Sequence, residues 1–243
     1  PIVKNALERT GSAANSQNET VAEKENESTV SDGSKLTGTV RGAAKRFSFL
    51  TVSPRSTITD WAGVGESVEN GTNIKGISPP TQGSDGYYEI ANEEQLAWFA
   101  YKINHGADQT LCARLTGEIN LFGTSYTNIE EGNINQALQW IPIGNDTTPY
   151  KGRFDGNGKG VDNLALLKAG LNNQGLFGVI SEEAVLEDVG IRSGKVSIGN
   201  GRGGAGVVGK TTTTKGQILR CWNQADVSGT DTCYGGVSGG HEG

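Results

Sequence analysis

The chain has 243 residues, of which 34% are hydrophobic and 37 are glycine, and its formal net charge is −6. So little apolar material excludes a thick globular core and suits a thin stack whose core is one side chain deep per face. The negative balance supplies no electrostatic reason for nucleic acid or an anionic membrane as partner. No apolar run approaches the ~20 residues of a transmembrane helix, so no membrane insertion is expected of this segment. No secretory signal is visible and there is no methionine at all, which reads as a processed or excised piece.

In chain order, residues 1–45 are rich in Ser, Asn, Glu, Lys, Thr and Ala with charges of both signs. Such a stretch cannot bury enough apolar surface to offset its ordering entropy and reads as irregular. Arg46 to Val52 has strand character, and Ser53 to Asp85 returns to Pro, Gly, Ser and Thr as an extended linker. We therefore divide the chain into a mostly irregular lead-in, 1–85, and an ordered segment, 86–243, expected to survive limited proteolysis. Tyr87–Ile90 reads as a short strand. A helix follows, with Asn92 as N-cap, Gln95 at the capping-box position, and Glu93 and Glu94 in the first turn. Leu96, Phe99, Ala100 and Ile103 form its apolar stripe, and Asn104-His105-Gly106 ends it. Residues 111–121 alternate as a strand, and 122–139 read as a polar loop before Trp140-Ile141-Pro142-Ile143-Gly144 returns to the core.

From there a glycine frame recurs: Gly175-Leu176-Phe177-Gly178, Gly206-Val207-Val208-Gly209 and Gly236-Val237-Ser238-Gly239. Its first glycines stand 31 and 30 residues apart (175, 206, 236), a fixed period that marks a stacked repeat. A second signature, apolar-x-polar-apolar, appears as Val161-Asp162-Asn163-Leu164, Leu186-Glu187-Asp188-Val189 and Ile218-Leu219-Arg220-Cys221. Further strands read at Lys195–Ile198 and Ala225–Ser228. Three short strands per repeat, with Gly at the corners, predict an all-β fold: a right-handed parallel β-solenoid (β-helix). The helix at its N-terminal end covers the open interior and unpaired edge of the first strands, while the third frame is truncated at the C-terminal end. Val161, Leu186 and Ile218 should then stack in register inside, with Asn163, Asp188 and Arg220 at solvated corners.

These frames, with Gln217-Ile218-Leu219-Arg220-Cys221-Trp222 between them, resemble the GLUG repeat of bacterial surface proteins. Trp140 to Gly144, Phe154-Asp155-Gly156-Asn157-Gly158 and Val161 to Leu164 look like the lead-in of such repeats. The resemblance spans roughly residues 86–243 and departs at Arg220, where Asn is usual. Similar repeats occur in wall-associated adhesins and in the non-catalytic part of metallopeptidases that cleave immunoglobulin A. What it implies is a secreted or cell-surface setting rather than an activity.

Several motifs suggest chemistry, and each has a plainer reading. Gly204 to Thr211 fits the P-loop pattern, yet four threonines and a glycine follow instead of a helix. Gly199 to Gly204 fits GxGxxG without a βαβ unit. Asp155, Asp162, Glu187 and Asp188, with Glu118, could be gathered by stacking into a polysaccharide hydrolase. Against this, Asp155-Gly156-Asn157-Gly158 reads as a turn, and the exposed faces should carry no buried, converging pair of carboxylates. His105, His241 and Asp231 have no metal partners at useful spacing, and His241-Glu242 alone does not make a zinc motif. Cys112, Cys221 and Cys233 suit no metal; Cys221 fits an interior position, with a Cys221–Cys233 disulfide as the alternative. Tyr87, Tyr88, Trp98 and Tyr101 either pack the cap or form a binding patch. No catalytic, cofactor or metal residue is assigned and no cofactor is expected. The expected role is a non-catalytic segment of an exported surface protein, acting as an adhesin-like face for host protein or glycan or as a stiff spacer. The alternative is the β-solenoid part of a secreted enzyme, an immunoglobulin-cleaving metallopeptidase or a carbohydrate-active one.

Overall fold

A computed structural model describes residues 60–71, 78–106, 108–122, 137–181, 183–212, 216–230 and 233–241. The chain separates into two units, Pro1–Thr57 and Ile58–Gly243. The first, with the irregular stretch 1–45 and the strand read at 46–52, lies outside the described residues.

The second unit is mostly parallel β-structure. Among the described residues its strands are β1 (Tyr87–Ile90), β2 (Cys112–Leu115), β3 (Ile119–Asn120), β4 (Arg153–Asp155), β5 (Gly160–Asp162), β6 (Leu164–Leu166), β7 (Phe177–Ile180), β8 (Val185–Glu187), β9 (Gly190–Ile191), β10 (Gly194–Ser197), β11 (Val208–Thr211), β12 (Gln217–Leu219), β13 (Trp222–Asn223), β14 (Asp226–Ser228) and β15 (Ser238–His241). They form four sheets, ordered β1-β2-β4-β8-β12, β3-β5-β9-β13, β6-β10-β14 and β7-β11-β15. Every strand pair in them is parallel. From β4 onward the chain visits the four sheets in the same order three times. Phe154, Leu186 and Ile218 align at steps of 32 residues, and Phe177, Val208 and Ser238 at 31 and 30.

Each pass therefore uses four strands, not three, because the second signature is a corner rather than a strand. Asp188 separates β8 from β9, and Arg220 separates β12 from the Trp222 strand. Asn163, Asp188 and Arg220 all have φ between 53° and 60°, the left-handed conformation that lets a chain turn sharply. This shared backbone state explains why the three tetrapeptides look alike. They do not occupy one column, however. Val161 pairs with Ile119 and Ile191 in the second sheet, whereas Leu186 and Ile218 follow Phe154 in the first. The expected stacking of Val161 with Leu186 and Ile218 is thus corrected.

The frame's closing glycines have a packing reason. A Cβ on Gly209 would lie 2.3 Å from the carbonyl carbon of Asn173, and one on Gly239 2.5 Å from the amide nitrogen of Gly204. The backbone of the preceding pass fills the space a side chain would need.

Helix α1 (Trp61–Glu69) and helix α2 (Glu93–Asn104) pack on each other. Helix α2 begins and ends as its sequence dictates. The Asn92 side chain accepts from the Gln95 amide at 3.0 Å, and Gly106 follows the helix at φ 72°. Leu96, Phe99 and Ile103 are fully buried, with the Phe99 ring 5.9 Å from Tyr150 and 5.8 Å from Phe154. Phe154 meets Phe177 edge-on at 5.1 Å, so one aromatic cluster joins α2 to the first and fourth sheets. Tyr150 donates its hydroxyl to the Leu111 carbonyl at 2.9 Å, which satisfies it in a fully buried site.

Helix α1 lies inside the stretch read as extended linker. Asp60 caps it, accepting from Gly63 at 3.3 Å, and Trp61 and Val68 are buried. Gly65 allows the close approach to α2: a Cβ there would come 2.3 Å from the Ala97 carbonyl oxygen. At the other end the apolar side chains of the last pass are less covered. Ile218, Val227 and Val237 are only partly buried, while Leu186, Val196 and Val207 one pass earlier are fully so.

Candidate binding surface

The outer face of the first sheet carries a charged row set by register. Side chains alternate across a strand, so with Phe154 and Leu186 inside, their neighbours point out. Glu89, Arg114, Asp155, Glu187 and Leu219 align across five strands. Arg114 pairs with Asp85, and its guanidinium lies 4.7 Å from the Tyr87 ring. Arg153 donates to the Tyr87 hydroxyl at 3.1 Å and stands 3.7 Å from Glu187. Arg220 reaches Glu187 at 3.3 Å and forks onto Asp188 at 2.7 and 2.8 Å. The hydrogen bond from Arg220 holds the Asp188 carboxyl below its ordinary range.

A second cluster forms on the next sheet. Arg192 contacts Glu118 at 2.7 Å and Asp162 at 2.6 Å, drawing two acids from different passes onto one guanidinium. The Gly160 amide, bonded to Glu118 at 2.9 Å, and then Arg192 hold the Glu118 carboxyl below its usual value.

Carboxylates thus come together on these faces at exposed or half-buried positions, not as a buried pair. Asp155 and Glu187 occupy paired register positions on neighbouring strands, which lie about 4.8 Å apart, and Glu118 and Asp162 share an arginine. Their setting nonetheless differs from a hydrolase pair. A general acid needs a carboxyl raised by desolvation, whereas Glu118 is shifted down by donors. Asp155 also accepts from the Asn157 amide at 2.7 Å, the turn its sequence suggests.

A third feature is a polar cleft of about 240 Å³ lined by Asp146, Asn172, Asn173, Arg202, Lys210 and Cys233, with Gly203 and Gly240. Sequence reasoning missed it. The available signal was that Asn172-Asn173, Arg202-Gly203 and Cys233 each stand two to four residues ahead of a repeat frame.

Other motifs resolve locally. The P-loop-like amides serve the sheets instead of facing a ligand: Gly204 donates to Cys233, Ala205 to Gln174, Gly206 to Gly236 and Val208 to Val237. The His105 ring stacks on Tyr101 at 4.0 Å, and among the described residues no group of three or more His, Cys, Asp or Glu could hold a metal ion. Asp231, Glu242 and the His241 side chain lie outside what is described. No disulfide joins Cys221 to Cys233; burial raises the Cys221 thiol. The aromatics do not make one patch: Tyr88 packs on buried Trp98 at 5.3 Å, Tyr87 faces the arginines and Tyr101 meets His105.

These features define an all-β protein of parallel sheets with ion-paired outer faces, and no described helix is long and apolar enough to cross a membrane. A stretch of 135 residues is 28% identical to halomucin of Haloquadratum walsbyi, covering 54% of this chain and 1% of halomucin. The chain thus matches only a small part of that relative's length. No family model matches the chain, and no solved structure does.

Proposed function

We propose that residues 86–243 form a right-handed parallel β-solenoid of the GLUG-repeat kind, with α2 as its N-terminal cap. In this reading the chain is a non-catalytic segment of an exported surface protein, and its repeated faces bind host protein or glycan or hold a binding domain at a distance. The observation that carries the reading is the cyclic use of four parallel sheets at steps of 30 to 32 residues. A chain that pairs each strand with its counterpart one repeat later advances along a single axis and builds an extended face. The partial likeness to halomucin supports the surface setting. The enzyme alternative draws no support from the carboxylates: the Gly160 amide and Arg192 hold the Glu118 carboxyl below its usual value, and arginines pair with Asp162 and Glu187.

The test is twofold. Antibodies to the 86–243 segment are expected to label intact cells of the source organism, and the purified chain to bind immobilised glycans or host matrix protein without releasing fragments. Labelling only after permeabilisation, or turnover abolished by Glu118→Gln or Glu187→Gln, overturns the reading.

A further inference from the structure

The loop between Gly144 and Tyr150 carries the triplet Asn145-Asp146-Thr147. An asparagine followed two residues later by Ser or Thr, with no proline between, is the acceptor pattern for N-linked sugars on exported proteins. The chain holds four such triplets, at Asn18, Asn26, Asn70 and Asn145, so the pattern alone decides little. At Asn145 all three residues lie among those described, and the surrounding structure can decide.

The base of this loop is fixed. Ile143 donates to the Leu176 carbonyl at 3.0 Å and Tyr150 to the Val179 carbonyl at 2.9 Å, which anchors both ends along β7. Gly144 turns the chain outward with a φ of 78°, and a Cβ on it would lie 2.4 Å from the Val179 carbonyl oxygen. Asn104, at the end of α2, clamps the same base. Its Nδ2 donates to the Pro142 carbonyl at 2.9 Å, and its Oδ1 accepts from the Gly144 amide at 2.8 Å.

The tip stands in solvent instead: Asn145, Asp146 and Thr147 are all exposed. Asn145 closes the turn itself. Its Oδ1 accepts from the Thr147 and Thr148 amides, each at 2.9 Å, and its own amide donates to the Thr148 carbonyl at 3.2 Å. A carboxamide also carries two N–H groups, and those of Asn145 make no hydrogen bond among the described residues. Beyond this turn the tip is held by Asp146, which accepts from Asn173 and pairs with Lys210 while its side chain is 64% exposed. An enzyme that draws the triplet into an extended form breaks only these solvent-facing contacts, and the clamp at the base stays.

We propose that Asn145 is an N-glycosylation acceptor. The assignment rests on the reading of the chain as an exported surface segment, because the sugar donor acts on exported proteins. That donor is an oligosaccharide carried on a polyprenyl phosphate or diphosphate. Asn145 Nδ2 bonds to C1 of its first sugar, and the bond from C1 to the phosphate oxygen breaks. The lipid phosphate leaves with the electron pair, and one amide proton passes to a base of the transferase. The branch is bulky and solubilising, so it marks the junction of α2 with the fourth sheet as a face turned to water rather than to a partner.

The experiment compares the full chain recovered from the surface of the source organism with the same chain made in a cytoplasm that lacks N-linked transfer. Trypsin releases residues 115–151 as one peptide, and electron-transfer fragmentation locates any added mass. An oligosaccharide on Asn145 is expected in the surface protein and absent from the reference. Thr147→Val, at an exposed position, is expected to abolish it, whereas Thr147→Ser retains it. A bare Asn145, mass on a threonine or serine hydroxyl instead, or full modification of Thr147→Val overturns the assignment. If the chain is recovered from the surface with Asn145 bare, the glycosylation assignment falls and the surface reading stands. If the chain is found only inside the cell, both fall.

Discussion

Replacing Phe99 by Ala tests how α2 is held to the sheets. The Phe99 ring is fully buried and makes tilted or edge contacts with Tyr150 at 5.9 Å and Phe154 at 5.8 Å. Truncating a buried Phe costs about 3–5 kcal/mol in lost transfer energy and residual cavity. Aromatic pairs of this kind add about 0.5–1.5 kcal/mol each. The cavity resists collapse because Phe154 is itself wedged against Phe177 at 5.1 Å, which places the loss toward the upper part of that range. Urea unfolding followed by tryptophan fluorescence reads it, since Trp140 is buried and donates to the Leu176 carbonyl at 2.9 Å. With a slope of about 2 kcal/mol per molar urea, the midpoint falls by about 1.5–2.5 M. Phe99→Leu, which keeps most of the volume, costs less than about 1.5 kcal/mol. A loss under about 1 kcal/mol for Phe99→Ala at unchanged slope would refute the packing argument.

Two glycines of the repeat frame should behave oppositely. Gly209→Ala drives a methyl to 2.3 Å from backbone and is expected to cost about 1–3 kcal/mol, whereas Gly236→Ala meets nothing within 4 Å and should stay within about 1 kcal/mol of wild type; thermal unfolding separates them. The Glu118 carboxyl is shifted down in the folded state, so its stabilisation is complete above its unfolded value near 4.3 and is lost as pH falls through the lower folded one. Glu118→Gln is accordingly less stable than wild type near neutral pH, and unfolding curves for the two should converge in acid; a constant difference at all pH values contradicts this. Timed iodoacetamide labelling with peptide mass mapping should find all three cysteines reactive and Cys221 slowest, since burial raises its thiol; a Cys221–Cys233 linked peptide contradicts it. Limited proteolysis should leave a core that retains Trp61–Glu69, because α1 is packed on α2; a core beginning near residue 85 shows that α1 is dispensable.

Short-range chemistry was legible in the sequence wherever residues a few positions apart decide the structure. The cap at Asn92, the stripe Leu96–Phe99–Ile103, the strand at Tyr87–Ile90 and the turn after Asp155 all obey local rules and appear in place. The frame glycines announced a period of 30 to 31, and the closing ones, Gly178, Gly209 and Gly239, recur because each yields to the backbone of a neighbouring pass. Tertiary structure alone decided the columns. Asn163, Asp188 and Arg220 share a left-handed backbone, so one sequence cannot tell that Arg220 follows Asp188 while Asn163 belongs beside Ser193, whose hydroxyl accepts from its amide at 3.0 Å. Helix α1 was hidden because Gly63 and Gly65 each weaken a helix by about 1 kcal/mol, and nine residues do not hold a helix alone. Its stability comes from α2, where Glu69 accepts from Trp98 and pairs with Lys102 at 2.8 Å. Which of the listed acids would pair was left open, and the polar cleft was hidden, for the same reason: their members lie about 30 or more residues apart, and only the register of parallel strands sets which of them meet.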